Sequence, residues 1–461
     1  MGLNAIPGAQ ARVEIPTALS NQTPTKKMRV LLIGKFPPIQ GGVSSNTFWT
    51  AQSLVHSGHQ VHVVTNAAEV EGGFRQCLWE EDFQRVEPQG LSALVVHNTT
   101  RLPRYSHIPW SPAYGSRLLG LALQVSGAAA CDVVLGWYWE PYGLAAVELG
   151  SLLACPVAVH HAGSDVGHLA SHPDLRAAFS SMLSRCGIVL TTGHPGIVAN
   201  LHALGVKPPS LRYTRLNRLP APFFSASNPL DINVLAARFG EWAAAAELNR
   251  DVVAGIEHAN RKRLDASLVT IGLYGKVARS KGSWDLVAAL ERLTPDLRFN
   301  FLIMASGTRA TLNAFYAALL ETDLRHSVCV LPPVAPWRVP QFLDLCDVVC
   351  VLEREFPIEY HGLQTVREAL ARGCCLVVSR EATTKSSLTD NLVDGKNCFV
   401  IEDPRSLSSL ANALRRVIVE KSLRNDVRRL GHQLSRFWEG YLPVTNAVED
   451  ALADAISIGA V

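Results

Sequence analysis

No Asp-x-Asp triplet occurs in this chain, so no local motif supplies the paired carboxylates that most simply clamp a divalent cation onto a phosphate. No Cys-x-x-Cys occurs either. The ten cysteines are scattered, mostly in apolar runs, with Cys374 and Cys375 adjacent. This pattern reads as core packing in a reducing compartment and not as a disulfide framework. Charged residues make up only 18% of the chain and the net charge is +3, which argues against nucleic acid as a partner. The compact cluster Arg261-Lys262-Arg263 reads as solvated surface. The most apolar stretch, 118–136, is broken by Gln124, Ser126 and Asp132, so no membrane span is expected. Residues 1–27 lack the apolar centre of a secretion signal and read as a mobile tail. The expected location is the cytoplasm, with peripheral contact at the inner membrane face left open.

What is present is enough apolar sequence, 48% of 461 residues, to bury two cores. Short buried-strand patterns recur: 29–33, 60–65, 132–135, 156–160 and 187–190 in the first half, then 269–274, 300–304, 328–331, 348–352 and 376–378. Helical spacing falls between them, at 44–56, 283–293 and 363–372, the last stopped by Gly373. Strand, loop, helix, strand at this pitch specifies parallel α/β sheets. The divisions expected are 28–222 for a first domain, 223–266 for a helical linker or insertion, 267–430 for a second domain, and 431–461 for C-terminal helices crossing back to the first.

Ligands of such sheets bind beyond the C-terminal strand ends, where helix N-termini present unpaired amides. Three loops there carry chemistry. The first, Gly34-Lys-Phe-Pro-Pro-Ile-Gln-Gly-Gly-Val43, has paired glycines, Gly41 and Gly42, that let the backbone approach a ligand; its spacing is not the dinucleotide fingerprint. The second, Gly275-Lys-Val-Ala-Arg-Ser-Lys-Gly282, sets Lys276 and Lys281 before a helix, a phosphate-binding arrangement without the Walker Gly-Lys-Ser/Thr. The third carries Glu353, Glu355 and Glu359 into the helix that holds Glu368, and two such carboxylates suit the hydroxyl pairs of a ribose or sugar. In the first half, His161-Ala-Gly-Ser-Asp165 follows a strand; there His161 would orient a hydroxyl, and Asp165 would hold the imidazole or cap the next helix. Trp137, Tyr138, Trp139 and Tyr142 would stack on a sugar face or pack beneath the neighbouring loop. The basic aromatic loop Arg101–Trp110 would grip an anionic acceptor or a lipid surface, or simply connect.

These motifs, in this order, resemble the retaining glycosyltransferases of family 4. Pro37-Pro38-x-x-Gly41-Gly42-Val43 resembles the family's opening loop, Lys276 and Lys281 its Gly-Arg-x-x-x-x-Lys-Gly segment with Lys for Arg, and Glu368-Ala-Leu-Ala-Arg-Gly373 its signature helix. Glu359 lies nine positions before Glu368 where the family has eight, so Tyr360 occupies the regular position. The resemblance implies the GT-B architecture, two Rossmann-like domains with parallel sheets facing a central cleft. It implies sugar transfer from a nucleotide-diphosphate donor to a glycan, lipid-linked or small-molecule acceptor, with retention and no further cofactor, and the missing Asp-x-Asp triplet leads us to expect no metal. Catalytic roles would fall to Glu359, His161 and Glu368, the last also binding ribose. The donor phosphates would be held by Lys276, Lys281, Gly42 and the stretch Gly362, Leu363, Gln364, Thr365; the acceptor would meet Gly41, Gly42, His161, Asp165 and Trp137. The loop 332–337 would lie against the base. The alternatives are a non-catalytic GT-B protein binding a nucleotide or glycan, and an epimerase or phosphorylase on the same fold.

Overall fold

Val, Ile and Leu in runs of three to seven residues have little choice but to become buried strands, because each face of a parallel sheet is covered by helices. The computed structural model describes residues 27–86, 93–100, 114–214, 218–228, 230–262, 264–357, 364–385, 391–438 and 442–459. The first sheet contains β1 (Arg29–Gly34), β2 (Gln60–Thr65), β3 (Leu94–Asn98), β4 (Val133–Trp137), β5 (Val157–His160), β6 (Ile188–Thr191) and β7 (Leu211–Tyr213), in the order β3-β2-β1-β4-β5-β6-β7. The second contains β8 (Thr270–Lys276), β9 (Asn300–Ser306), β10 (Val328–Leu331), β11 (Val348–Val351), β12 (Cys375–Ser379) and β13 (Phe399–Ile401), in the order β10-β9-β8-β11-β12-β13. All pairings between neighbouring strands are parallel, with Gly34 opposite Trp137 and Lys276 opposite Ser306.

Alternation along each strand feeds two core layers per sheet. Leu31 and Ile33 pack on one side of β1, Val30 and Leu32 on the other. The segment 223–266, expected as a linker or insertion, packs into the layers around the second sheet: Leu230 and Leu235 on one face, Phe239, Trp242 and Ile256 on the other. It forms short helices, Ile232–Ala237, Phe239–Ala245 and Arg250–Asn260. The helix Leu442–Gly459 lies against the first sheet, where Val448, Ala451, Leu452 and Ala455 join the layer of Val30 and Phe48. Arg212 holds Asp454 at 2.6 Å on its flank. Among the described residues no helix is long and apolar enough to cross a membrane.

The two sheets meet through a seam that the sequence leaves unremarked. Gly72 and Gly73 have no side chain because a Cβ on either would collide with the backbone carbonyl of Ala245 or Gly307. Trp242 Nε1 donates to the Arg75 carbonyl at 3.0 Å, and Trp337 Nε1 to Asp82 Oδ1 at 2.7 Å. Arg338 pairs with the same Asp82 at 2.9 Å. The loop 332–337, expected against a nucleotide base, therefore spends Trp337 on the first domain, where the indole sits 4.6 Å from the Phe48 ring.

Candidate active site

In each sheet the strand order reverses once, between β1 and β4 and between β8 and β11. A crevice opens at such a switch point because the loops on either side run to opposite faces. The loops that follow these four strands build the site.

The loop after β1 is pinned from inside. Phe36 and Ile39 are buried, Phe36 lies 5.7 Å from Phe48, and Gln40 N–H donates to the Phe74 carbonyl at 2.7 Å. The pinning leaves Gly42 exposed and Lys35 and Gly41 half-buried. Gly41 has φ 122°, which a side chain would strain. A Cβ on Gly42 would come within 3.3 Å of Gln364 Oε1. Gly42 and the first turn of the helix Gln364–Ala371, paired in the sequence reading, are thus neighbours across the two domains. Thr365 lies in that same first turn. Gly362 and Leu363 lie outside the described residues, as does Glu359.

Lys276 ends β8 and remains open to water in the cleft, its ammonium 5.2 Å from the centre of the Phe74 ring. Partial loss of solvent and the nearby Lys281 charge lower its pKa. Lys281 is differently placed. Its ammonium bonds Glu353, whose side chain is 2% exposed, and lies 3.7 Å above the Phe356 ring. It is a paired cation that neutralises a buried carboxylate, and its own pKa is lowered by burial against the pull of Glu353. Glu355, from the same loop, turns outward to Arg405 at 2.9 Å.

A third lysine joins them, one that the sequence reading passed over. Burial lowers the Lys35 ammonium to about 8, the charge of Lys276 pushes the same way, and Asp165 opposes it. Its ammonium sits 4.8 Å from the Tyr138 ring centre. A lone lysine inside a Gly-Pro loop carries no spacing signal; only the second domain reveals its setting.

Glu368 is buried on the cleft-facing side of its helix. Its carboxylate accepts from Tyr274 Oη at 2.7 Å and Gln364 Nε2 at 2.8 Å. Burial raises its pKa, and these two donors with Arg367 offset part of the rise. Each oxygen still has a lone pair for a ligand hydroxyl. Arg367 beside it is buried, brought down to about 10, and its Nε has no partner among the described residues.

The histidine side differs from expectation. Asp165 does not hold His161; its carboxylate accepts backbone N–H groups from Ala162 at 3.0 Å, Val166 at 3.0 Å and Trp139 at 3.3 Å. Those amides stabilise the carboxylate, yet burial dominates and lifts the acid to about 6. His161 instead pairs Nε2 with Thr191 Oγ1 at 2.8 Å, and burial holds it neutral, near 4. Its Nδ1 is enclosed without a partner among the described residues. Trp137 is 1% exposed and stacks on His160 at 4.2 Å. It has no face left for a sugar, because the last residue of β4 turns inward beneath its loop. Arg101–Trp110 lies outside the described residues. Among the described residues no group of three His, Cys, Asp or Glu side chains is placed to hold a metal ion.

Residues 41–217 match the Glycosyl transferase 4-like domain family, and residues 257–433 match the Glycosyl transferases group 1 family. No curated protein sequence matches the chain. Solved structures share its fold over nearly the full length. Anabaena HepE, crystallised with UDP-glucose, has 13% identity and a TM-score of 0.61, covering 92% of this chain and 99% of its own. Sucrose-phosphate synthase from Thermosynechococcus elongatus has 13% identity and a TM-score of 0.60, covering 92% and 98%. WaaG, a glycosyltransferase involved in lipopolysaccharide biosynthesis, has 14% identity and a TM-score of 0.57, covering 92% and 99%.

Proposed function

Because the chain belongs to the glycosyltransferases of family 4 and GT-B architecture, we propose that it moves a sugar from a nucleoside diphosphate to an acceptor hydroxyl, with retention at the anomeric carbon. The observation that carries this reading is the convergence of Lys35, Lys276 and Lys281 at the two switch points, where among the described residues only Lys281 is bonded to a carboxylate. An ammonium that has lost solvent without a carboxylate bonded to it, as Lys35 has among the described residues, favours an anion in the cleft. That HepE was crystallised with UDP-glucose supports a nucleotide sugar as that anion.

In this reading the diphosphate lies between Lys276 and the first-turn amides of Gln364 and Thr365. The partial positive charge of those amides adds to the ammonium. As the sugar–oxygen bond breaks, negative charge grows on the leaving phosphate, and fixed cations stabilise it most at that moment. The chain's lack of an Asp-x-Asp triplet agrees with cations and amides, without a metal, in this role. Glu368, already fixed by Tyr274 and Gln364, accepts the ribose hydroxyls. Gly41 and Gly42 leave room for the transferred sugar and the incoming acceptor, a glycan, a lipid-linked sugar or a small molecule. His161 supports the acceptor wall from behind as a neutral ring.

The test is turnover. UDP-, GDP- and ADP-hexoses are supplied with a panel of such acceptors, and nucleoside diphosphate release is followed. Release that depends on one donor and one acceptor class supports the proposal, and the anomeric coupling of the product reports retention. Tight nucleotide binding without release on any acceptor would favour a binding protein on this fold.

A further inference from the structure

Lys35 sits on a fixed platform. The ring beneath it belongs to Tyr138, held at φ 79° by an N–H donated to the His160 carbonyl at 3.0 Å and by a carbonyl that accepts from Gly143 N–H at 2.8 Å. The Tyr138 hydroxyl bonds Ser164 Oγ at 3.0 Å. Such a strained non-glycine residue persists only where its surroundings over-determine it. The far end of the Lys35 loop is tied to the other domain, with Ser306 Oγ donating to Gln40 Oε1 at 2.8 Å. Ser306 is the lateral neighbour of Lys276 in the second sheet. One hydrogen bond therefore joins the loop of one lysine to the strand of the other. Among the described residues neither ammonium has a carboxylate bonded to it. Asp165, the acid that acts on Lys35, is committed to three backbone amides.

We propose that Lys35 is a further cation on the donor's diphosphate, opposite Lys276, so that the leaving group is gripped from both domains at once. The inference rests on the nucleotide-sugar reading above and adds to it a coupling: a diphosphate between Lys35 and Lys276 converts repulsion across the cleft into attraction, whereas a nucleoside without phosphate does not. Nucleotide binding then holds the glycine loop against the helix Gln364–Ala371.

The experiment titrates UDP, GDP and ADP, each with its parent nucleoside, into wild type, Lys35→Met and Lys35→Arg by calorimetry. Lys35→Met is expected to weaken the bound diphosphate about ten- to a hundredfold and leave the nucleoside unchanged. Lys35→Arg, which keeps the charge, should stay within a few-fold of wild type. Equal diphosphate affinity in wild type and Lys35→Met would overturn the inference, as would parallel loss of diphosphate and nucleoside. If wild type binds none of the three diphosphates, the proposed function fails first and takes this inference with it.

A separate observation stands at the opposite, N-terminal ends of the first sheet's central strands. Cys131 and Cys155 precede β4 and β5, both half-buried, with their sulfurs 3.7 Å apart. The other eight cysteines are buried. The geometry points to Cys131 and Cys155 as a thiol pair that a peroxide closes to a disulfide. The Cys131 sulfur attacks one peroxide oxygen and releases water, leaving a sulfenic acid. The Cys155 sulfur then displaces a second water from it, so two thiols give up two electrons and two protons to one peroxide. The hydrogen bond from its neighbour brings the Cys131 thiol down to about 7, which favours it as the attacking group. Peptide mass spectrometry after hydrogen peroxide treatment should find a Cys131–Cys155 link in wild type. In Cys155→Ser it should find sulfenic or sulfinic acid at Cys131. Absence of the link in the folded wild type at full peroxide consumption would overturn this assignment.

Discussion

On the β5 side of the cleft, His160, His161 and Asp165 are buried and their charges are suppressed: the imidazoles are driven down, the acid is driven up, and each is packed against rings or amides. On the side where the loops after β1 and β8 lie, Lys35 loses solvent and Lys276 stays open to water, and among the described residues neither ammonium has a carboxylate bonded to it. Burial acts on both groups with the same sign, toward neutrality. What differs is the compensation. The histidine side is relieved by neutralisation, its imidazoles shedding their charge while three ring nitrogens stay enclosed without a hydrogen-bond partner among the described residues, so it works as a wall. The lysine side is left to be satisfied from outside, which is what an anion site requires. Charge left uncompensated is therefore the better guide to the ligand than the presence of a histidine near a strand end.

The comparison can be broken most strongly at Lys281, which belongs to neither kind. Lys281→Met would remove the ammonium bonded to the buried Glu353 carboxylate, at a cost of about 3–5 kcal/mol in urea unfolding. Adding Glu353→Gln should restore most of that stability. If the double variant then binds nucleotide like wild type, Lys281 is a structural cation and the anion belongs to the other lysines. Next in size is the acid response of His161. Its folded pKa near 4 lies below the ordinary 6.5, so below pH 6.5 the unfolded chain takes up a proton that the folded chain refuses. Relative to His161→Asn, wild type should lose roughly 3 kcal/mol between pH 6.5 and 4. Asp165, raised to about 6, holds its proton in the folded state and opposes that loss over part of the same window. The difference between the two proteins, followed by chemical denaturation at several pH values, isolates the histidine.

Glu368→Gln sharpens the other side. Replacing the carboxylate while keeping its shape should weaken nucleotide binding by about 1.5–3 kcal/mol with a smaller effect on a 2′,3′-dideoxy analogue. Equal losses for both would assign Glu368 to holding Tyr274 and Gln364 only. The smallest effects separate the two glycines. Gly41→Ala should cost about 1–3 kcal/mol of stability because of its φ of 122°. Gly42→Ala meets only the flexible tip of Gln364 and should stay within about 0.5 kcal/mol. Thermal unfolding of the pair measures both.

Much of this architecture was readable in advance. Runs such as Val348-Val-Cys-Val351 have one plausible fate in an alternating chain, and Gly373, at φ 67°, ends its helix as its position implied. Residues whose meaning depends on distant partners were not readable. Lys281 meets Glu353 72 positions away, and Trp337 meets Asp82 255 positions away; neither separation leaves a local pattern. Lys35 looked like an ordinary loop lysine until Lys276 was placed near it. Trp137 was ambiguous for another reason: the last residue of a strand can face either the crevice or the core, and apolar periodicity stops there.

The most direct test of the anion site is calorimetric titration of UDP, GDP and ADP into wild type and Lys276→Met. Lys276 is open to water and unpaired among the described residues, so its loss should leave the fold intact. The account predicts that wild type binds at least one nucleoside diphosphate and that Lys276→Met binds it about tenfold or more weakly. Failure of wild type to bind any of them, or unchanged affinity in the variant, would contradict it.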